Sequence, residues 1–153
     1  MSIAEFTSAD SILEFAIARE EESYQFYVRL AARTERPWMQ RVFEEFSKEE
    51  LGHKASLQKV REGKRKLRSE SRVLDLKMSD YLVAGQANDD MDYQQALIVA
   101  MKKEKVAFKL YTDLADRVDD ERLRTMFLGL AQEEAKHKLR FEIEYDEVIL
   151  RDN

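Results

Sequence analysis

Cysteine is absent from this 153-residue chain. That excludes a disulfide framework, an iron–sulfur cluster, a thiolate-ligated haem and a cysteine-bound iron centre within the chain itself. Proline occurs once and glycine four times, too little turn chemistry for a many-stranded sheet. No apolar run approaches the roughly 18 residues of a membrane span, and the opening MSIAEFTSAD lacks the basic-then-apolar pattern of a secretory leader. A cytoplasmic protein with no membrane partner is expected. The formal charge of -5 disfavours nucleic-acid binding and mildly favours cations. Histidine is nearly as scarce as proline, with two residues, so the places those two occupy carry weight.

What the chain does contain suits helices. Hydrophobic residues make up 44% and charged residues 37%, a mixture that fits long amphipathic helices in a single domain spanning 1–153. The first helix is expected to begin near Ser8 to Ser11, where Ser11 and Glu14 have capping-box spacing, and to run to about Arg33. Thr34 to Pro37 then forms a turn. Pro37 suits the first turn of a second helix, because its missing N–H would lack a helical partner there, and Gly63 offers a stop. A third helix should start near Asp89 to Asp92 and end near Val118, and Asp119 or Asp120 can cap a fourth running toward Leu150. Hairpins of about 8–63 and 89–150 are thereby joined by a crossover of about 64–88. Its basic run Lys64-Arg65-Lys66-Leu67-Arg68 reads as a solvated linker, followed by the apolar-spaced Val73-Leu74-Asp75-Leu76-Lys77-Met78. A bundle helix of about 26 residues is about 39 Å long, a distance that an extended crossover can retrace. The expectation is an all-α, up-down-down-up four-helix bundle with a long crossover between helices two and three.

Both histidines fall in Glu-x-x-His pairs, Glu50/His53 and Glu134/His137, and each pair's glutamate follows another, Glu20 or Glu104, by thirty positions. A shift of 84 residues superimposes Glu20 on Glu104, Tyr27 on Tyr111, Phe43 on Phe127, Glu49-Glu50 on Glu133-Glu134 and His53-Lys54 on His137-Lys138. The chain therefore reads as two copies of one helical hairpin. Alternating steps of three and four place all six residues on apolar stripes, with Tyr24, Tyr27, Phe43, Phe46, Met101, Phe108, Tyr111, Phe127, Phe141 and Tyr145 among their neighbours. Positions 20 and 50 average 35, inside the first turn, and 104 and 134 average 119, inside the second, so each lone glutamate lies level with its Glu-x-x-His pair.

Four carboxylates gathered in a core repel one another, and each buried charge costs several kcal/mol unless it is compensated or protonated. Two divalent cations would cancel four negative charges, and neutral imidazoles would complete an oxygen and nitrogen ligand set. The pattern thus points to a dinuclear metal site of Glu20, Glu50, His53, Glu104, Glu134 and His137. Glu21, Glu22, Glu49 and Glu133 adjoin ligands but lie about 100° around their helices, on the side expected to face solvent. Trp38 reads as a packing anchor near the first turn. Gly52, between Glu50 and His53, either admits a neighbouring backbone or is simply tolerated.

With those residues in view, the chain resembles the ferritin-like superfamily, most closely the di-iron domain of rubrerythrins, over about residues 8–150. The resemblance implies two irons, with manganese or zinc as substitutes. Glu50 and Glu134 would bridge or flank the metals, Glu20 and Glu104 would be terminal carboxylates, and His53 and His137 would each cap one iron. Tyr27 and Tyr111 look like hydrogen-bond partners behind the ligands. The implied function is reduction of hydrogen peroxide or oxygen at a non-haem di-iron site, supplied by a separate electron-donor protein, in a homo-oligomer such as a dimer. Alternatives are ferroxidase or iron-handling activity, or a metal-stabilised interaction module without redox chemistry. The chain also departs from its likeness. Met101 stands where peroxide-reducing rubrerythrins have an additional glutamate, the rubredoxin module is missing, and Leu51 replaces the haem-ligating Met of bacterioferritins, so no haem is expected. Little sequence follows the fourth helix to form the short fifth helix of cage ferritins.

Overall fold

The computed structural model describes residues 8–63, 76–83 and 91–152. Four helices carry the fold: α1 over Ala9–Arg33, α2 over Pro37–Glu62, α3 over Tyr93–Arg117 and α4 over Glu121–Asp152. Each begins where a side chain or a proline removes an orphan N–H. The α1 cap is Ser8, one turn ahead of the expected Ser11. Ser8 Oγ accepts from the Ser11 N–H and Ser11 Oγ accepts from the Ser8 N–H, each at 3.1 Å, so Ser11 fills the reciprocal place usually held by Glu. Asp92 and Gln95 form the same reciprocal cap on α3. Asp120 Oδ1 accepts from the Arg122 and Leu123 N–H groups to start α4. Pro37 opens α2, and the chain leaves it at Gly63 in an extended conformation.

Cross-helix contacts give the helix directions. α1 and α2 form one hairpin, and α3 and α4 the other. Tyr27 of α1 meets Glu104 of α3 while Tyr111 meets Glu20, so α1 and α3 run antiparallel. His53 of α2 meets Glu133 of α4 while His137 meets Glu49, so α2 and α4 do too. The result is the up-down-down-up bundle that the two hairpins and their crossover imply. Its core is split in two. One apolar cluster gathers Ile12, Leu13, Leu57, Leu114 and Phe127, and the other gathers Phe26, Met39, Phe43, Leu97 and Phe141. Along every helix, the layer holding Glu20, Glu50, His53, Glu104, Glu134 and His137 falls between them.

Part of the crossover is anchored. A short 3-10 turn at Met78–Tyr81 places Tyr81 in the first cluster beside Leu76, and Tyr81 Oη donates to Asp113 Oδ2 at 2.6 Å. The basic run Lys64–Arg68 and the Val73–Asp75 segment lie outside the described residues, as do Asp89 and Asp90. Two expectations change, and one open alternative is decided. Phe108 is 42% exposed because the inward seam of α3 passes through the smaller Ala107, which packs on the first cluster. Trp38 is 46% exposed and serves as a platform, with the Arg36 guanidinium 4.6 Å from its ring. A Cβ on Gly52 would meet nothing within 4 Å, so this glycine admits no neighbouring backbone and is simply tolerated.

A second buried acid sits apart from the central layer. The Glu144 side chain is fully buried, where it meets Arg36 Nη1 at 3.0 Å and accepts from Tyr93 Oη at 2.7 Å. Arg36 also reaches Glu147 at 2.5 Å, so one guanidinium ties the α1–α2 turn to the far end of α4. Removing one partner of a buried pair leaves the other uncompensated, at a cost of about 3–5 kcal/mol. Arg36→Met is therefore expected to lower the urea-unfolding free energy by about that amount, and Arg36→Met combined with Glu144→Met to recover much of it.

Candidate metal centre

The six residues meet in the middle of the bundle and are almost entirely withdrawn from solvent. They form two overlapping groups, Glu20–Glu50–His53–Glu134 and Glu50–Glu104–Glu134–His137, and within each group one donor atom per residue lies within 4.8 Å of the others. Glu50 and Glu134 belong to both. His53 Nδ1 stands 2.9 Å from Glu134 Oε1, 3.4 Å from Glu50 Oε1 and 3.5 Å from Glu20 Oε2. His137 Nδ1 stands 3.3 Å from Glu50 Oε1 and 3.7 Å from Glu104 Oε1. All six candidate ligands named from the sequence therefore face one another.

The histidines are oriented from behind. His53 Nε2–H donates to Glu133 Oε2 at 2.5 Å, and His137 Nε2–H donates to Glu49 Oε2. Each bond turns Nδ1 inward, the orientation that carboxylate–histidine–metal arrangements use to fix the tautomer. Glu49 and Glu133 were expected on the solvent side. Their side chains are indeed part-exposed, at 37% and 49%, but each keeps one oxygen on the histidine of the opposite hairpin. Helical phase alone could not reveal this, since it depends on how α2 lies against α4. The sequence signal was the repeated Glu-Glu doublet. Glu21 and Glu22 belong outside the site: Glu21 pairs with Lys54 at 2.7 Å, and Glu22 with Arg19 at 3.1 Å.

The tyrosines also cross between hairpins. Tyr27 Oη donates to Glu104 Oε1 and Tyr111 Oη donates to Glu20 Oε1, so each supports the other half's glutamate instead of the one on its own helix. Burial, then the nearby carboxylates, pushes both phenols well above their ordinary range, which keeps the donated protons in place. Phe46 stacks on the His137 ring with centroids 3.9 Å apart.

Seven inward atoms lack a hydrogen-bond partner: Glu20 Oε2, both Glu50 oxygens, His53 Nδ1, Glu104 Oε2, Glu134 Oε1 and His137 Nδ1. Orphaned polar atoms of this kind are costly in a core, and here they converge as hard oxygen and imidazole ligands suited to divalent transition metals. The residues fit a dinuclear metal site. Protons are the alternative occupants. Burial, then neighbouring carboxylates, raises the Glu50 and Glu134 carboxyls well above their ordinary range. Burial pushes both imidazoles down, but the surrounding carboxylates outweigh it, leaving His53 at about 9 and His137 at about 11.

Two predictions result. The raised imidazoles stabilise the metal-free fold fully below their ordinary 6.5 and lose that contribution as pH climbs through about 9 for His53 and about 11 for His137. The raised carboxyls act in the same direction, because the folded chain holds protons that the unfolded chain has released. Chelated protein should thus melt at lower temperature as pH rises from 6.5 toward 9, while the increment from added divalent metal should grow, since binding displaces those protons. Thermal unfolding with and without chelator checks both slopes. Second, Glu133→Ala or Glu49→Ala should weaken metal binding about 10- to 100-fold in a chelator competition titration, while Glu22→Ala leaves it unchanged.

Comparison with known proteins agrees with this geometry. No protein with a curated description matches the chain. A hypothetical protein from Pyrococcus furiosus superposes with a TM-score of 0.72 at 23% identity, covering 94% of this chain and 91% of its own. A candidate ferritin-like diiron-carboxylate protein from Thermotoga maritima also gives 0.72, at 19% identity, covering 95% of this chain and 99% of its own. These likenesses place the bundle among ferritin-like four-helix folds. The family model described as Rubrerythrin matches residues 11–145, a stretch that contains all six clustered glutamates and histidines and both tyrosines, and the chain belongs to that family.

Proposed function

We propose that the protein is a di-iron oxidoreductase that reduces hydrogen peroxide or oxygen at the central carboxylate site. The observation that carries this reading is the shared membership of Glu50 and Glu134 in both ligand groups. Glu20, Glu50, His53 and Glu134 would hold one ion and Glu50, Glu104, Glu134 and His137 the other, with Glu50 and Glu134 common to both groups. Four carboxylates and two neutral imidazoles balance two divalent ions without residual charge. Bound iron would supply reducing electrons and an open coordination position for the oxidant.

The chain's own residues do the positioning. Glu133 and Glu49 hold the imidazoles with Nδ1 inward, Tyr111 and Tyr27 hold one oxygen each of Glu20 and Glu104, and Phe46 covers His137. A narrow cavity between α1 and α3 reaches the layer from one side. It is lined by Arg19, Ser23, Lys103, Ala107 and Tyr111 and ends on Glu20 and Glu134, and it fits passage of a small oxidant better than of an organic substrate. The chain has no thiol to store electrons, so reduction of the spent site falls to a separate electron-donor protein.

Anaerobic titration with ferrous iron should saturate at about two per chain, and hydrogen peroxide or oxygen should then oxidise the bound iron stoichiometrically. Iron inert to both would reject the reading, and continued uptake of many irons per chain would favour iron handling instead. Ser23→Val or Ala107→Leu should slow the oxidation several-fold in stopped-flow spectra while leaving iron stoichiometry unchanged.

A further inference from the structure

The cavity between α1 and α3 is apolar along its walls and cationic at its mouth. Phe15, Val106 and Leu110 stand in the walls, Glu20 and Glu134 form the floor, and the space is about 20 Å³, room for about one water-sized molecule. Arg19 and Lys103 line it from opposite helices. Both side chains are mostly withdrawn from water, at 27% and 13% exposure. Arg29 adds a third positive charge beside them, since its guanidinium lies 6.0 Å from the Phe26 ring that the Lys103 ammonium approaches to 5.8 Å.

Among the described residues, Glu22 is the acid that answers Arg19 and Lys103. It meets Arg19 Nη1 at 3.1 Å and stands 3.8 Å from Lys103 Nζ, with 56% of its own side chain exposed. Arg19 Nη2 donates to the Tyr81 carbonyl at 3.3 Å, which holds the guanidinium at the mouth. The Lys103 ammonium is beyond hydrogen-bond reach of Glu22 and keeps its donors for another acceptor. Once divalent ions balance the four inner carboxylates, positive charge is in excess around the cavity. A cleft with cations of one sign and low-dielectric walls concentrates counter-ions. Its width turns away bulky ions, and its sign turns away metal ions.

We propose that this cavity is an entry for small monoanions, in which Arg19 and Lys103 draw the ion to the mouth and hold it on its way to the central layer. The inference rests on the reading of that layer as a dinuclear metal centre reached between α1 and α3, and it names the class of molecule that reaches it: a diatomic or linear ion with a single negative charge. Arg19 and Lys103 are positioning residues here, and neither is a metal ligand.

Azide serves as the probe. The full chain loaded anaerobically with cobalt(II), whose visible bands report its ligands, should take up about two ions per chain and change its spectrum on titration with azide. Lys103→Gln should raise the azide dissociation constant about 10-fold, Arg19→Gln should act in the same direction, and Lys103→Arg should bind azide as the unaltered chain does. Unchanged cobalt content shows that each variant folds. Lys105→Gln makes the same charge change at an exposed position of α3 and should leave azide binding unaltered. Nitric oxide, which is small and uncharged, should bind the ferrous protein equally in every variant. Failure to take up cobalt would overturn the metal centre and the entry together. Cobalt bound without any response to azide, or azide binding indifferent to both Lys103→Gln and Arg19→Gln, would reject the entry and leave the centre standing. A loss shared by Lys105→Gln would trace to overall charge, and a loss shared by nitric oxide would make the two cations structural; either outcome rejects the proposal. None of these readouts requires oxidation by peroxide or oxygen, so the entry is tested separately from the reaction.

Discussion

Four carboxylates enclosed between two apolar clusters are the constraint on which the rest of the molecule depends. Each costs several kcal/mol to bury as a charge without compensation, and the layer they form interrupts the core on every helix. Two kinds of compensation are present. From behind, phenols donate to Glu20 and Glu104, and outer glutamates orient the imidazoles. In front, seven polar atoms remain without hydrogen bonds, and there only cations or protons can complete the balance. The metal-free and metal-loaded proteins are therefore two solutions to one electrostatic problem. In the first, the raised proton affinity of Glu50, Glu134 and the imidazoles favours protons as the balancing charge, and in the second divalent ions would displace them.

The duplication of the hairpin is also the means by which the halves hold together. Every supporting bond in the layer crosses from one copy to the other: Tyr27 to Glu104 and Tyr111 to Glu20, His53 to Glu133 and His137 to Glu49. Neither hairpin could orient its own ligands alone. Antiparallel pairing of α1 with α3 and of α2 with α4 brings residues of equivalent rank to reciprocal positions, so one repeated sequence yields both members of each contact. Symmetry is not carried through the surroundings. Phe46 covers His137, but Leu130 stands at the equivalent place in the second half. The Arg36–Glu144–Tyr93 lock closes only the end where the first hairpin turns.

Much of this was legible in the sequence, and the failures share a cause. Helix number, the turns at Thr34 to Pro37 and Val118 to Asp120, and the convergence of the six residues follow from periodicity, capping chemistry and matched spacing, all of which are local or repeated signals. Phe108 misled because adjacent positions 107 and 108 both satisfy a three-and-four step, and only packing against the first apolar cluster selects the smaller alanine. Glu49 and Glu133 misled because their phase points off the ligand stripe, while a long side chain reaches a histidine on the next helix. The tyrosines were identified as supports, but the sequence placed them two turns from glutamates on their own helices, and the partners actually bonded lie across the bundle. Arg36 and Glu144, 108 positions apart, leave no motif to find.

The charge count also bears on why Met101 stands one turn before Glu104. A fifth carboxylate at that position would enter a layer whose negative charge two divalent ions would suffice to cancel. It would either need another proton or offer a metal a second carboxylate to move toward. Met101 instead packs against the second apolar cluster beside Leu97 and Ala100, extending the dry wall of the site. With that position apolar, the potential metal ligands gathered in this layer, among the described residues, are the six inward side chains. Differences in reactivity then arise from what stands behind them: the outer glutamates that set imidazole basicity, the phenols that restrain two carboxylates, and the narrow α1–α3 cavity. The fold alone does not choose a reaction. These supporting residues act on the six inward side chains from behind, without themselves entering the central layer.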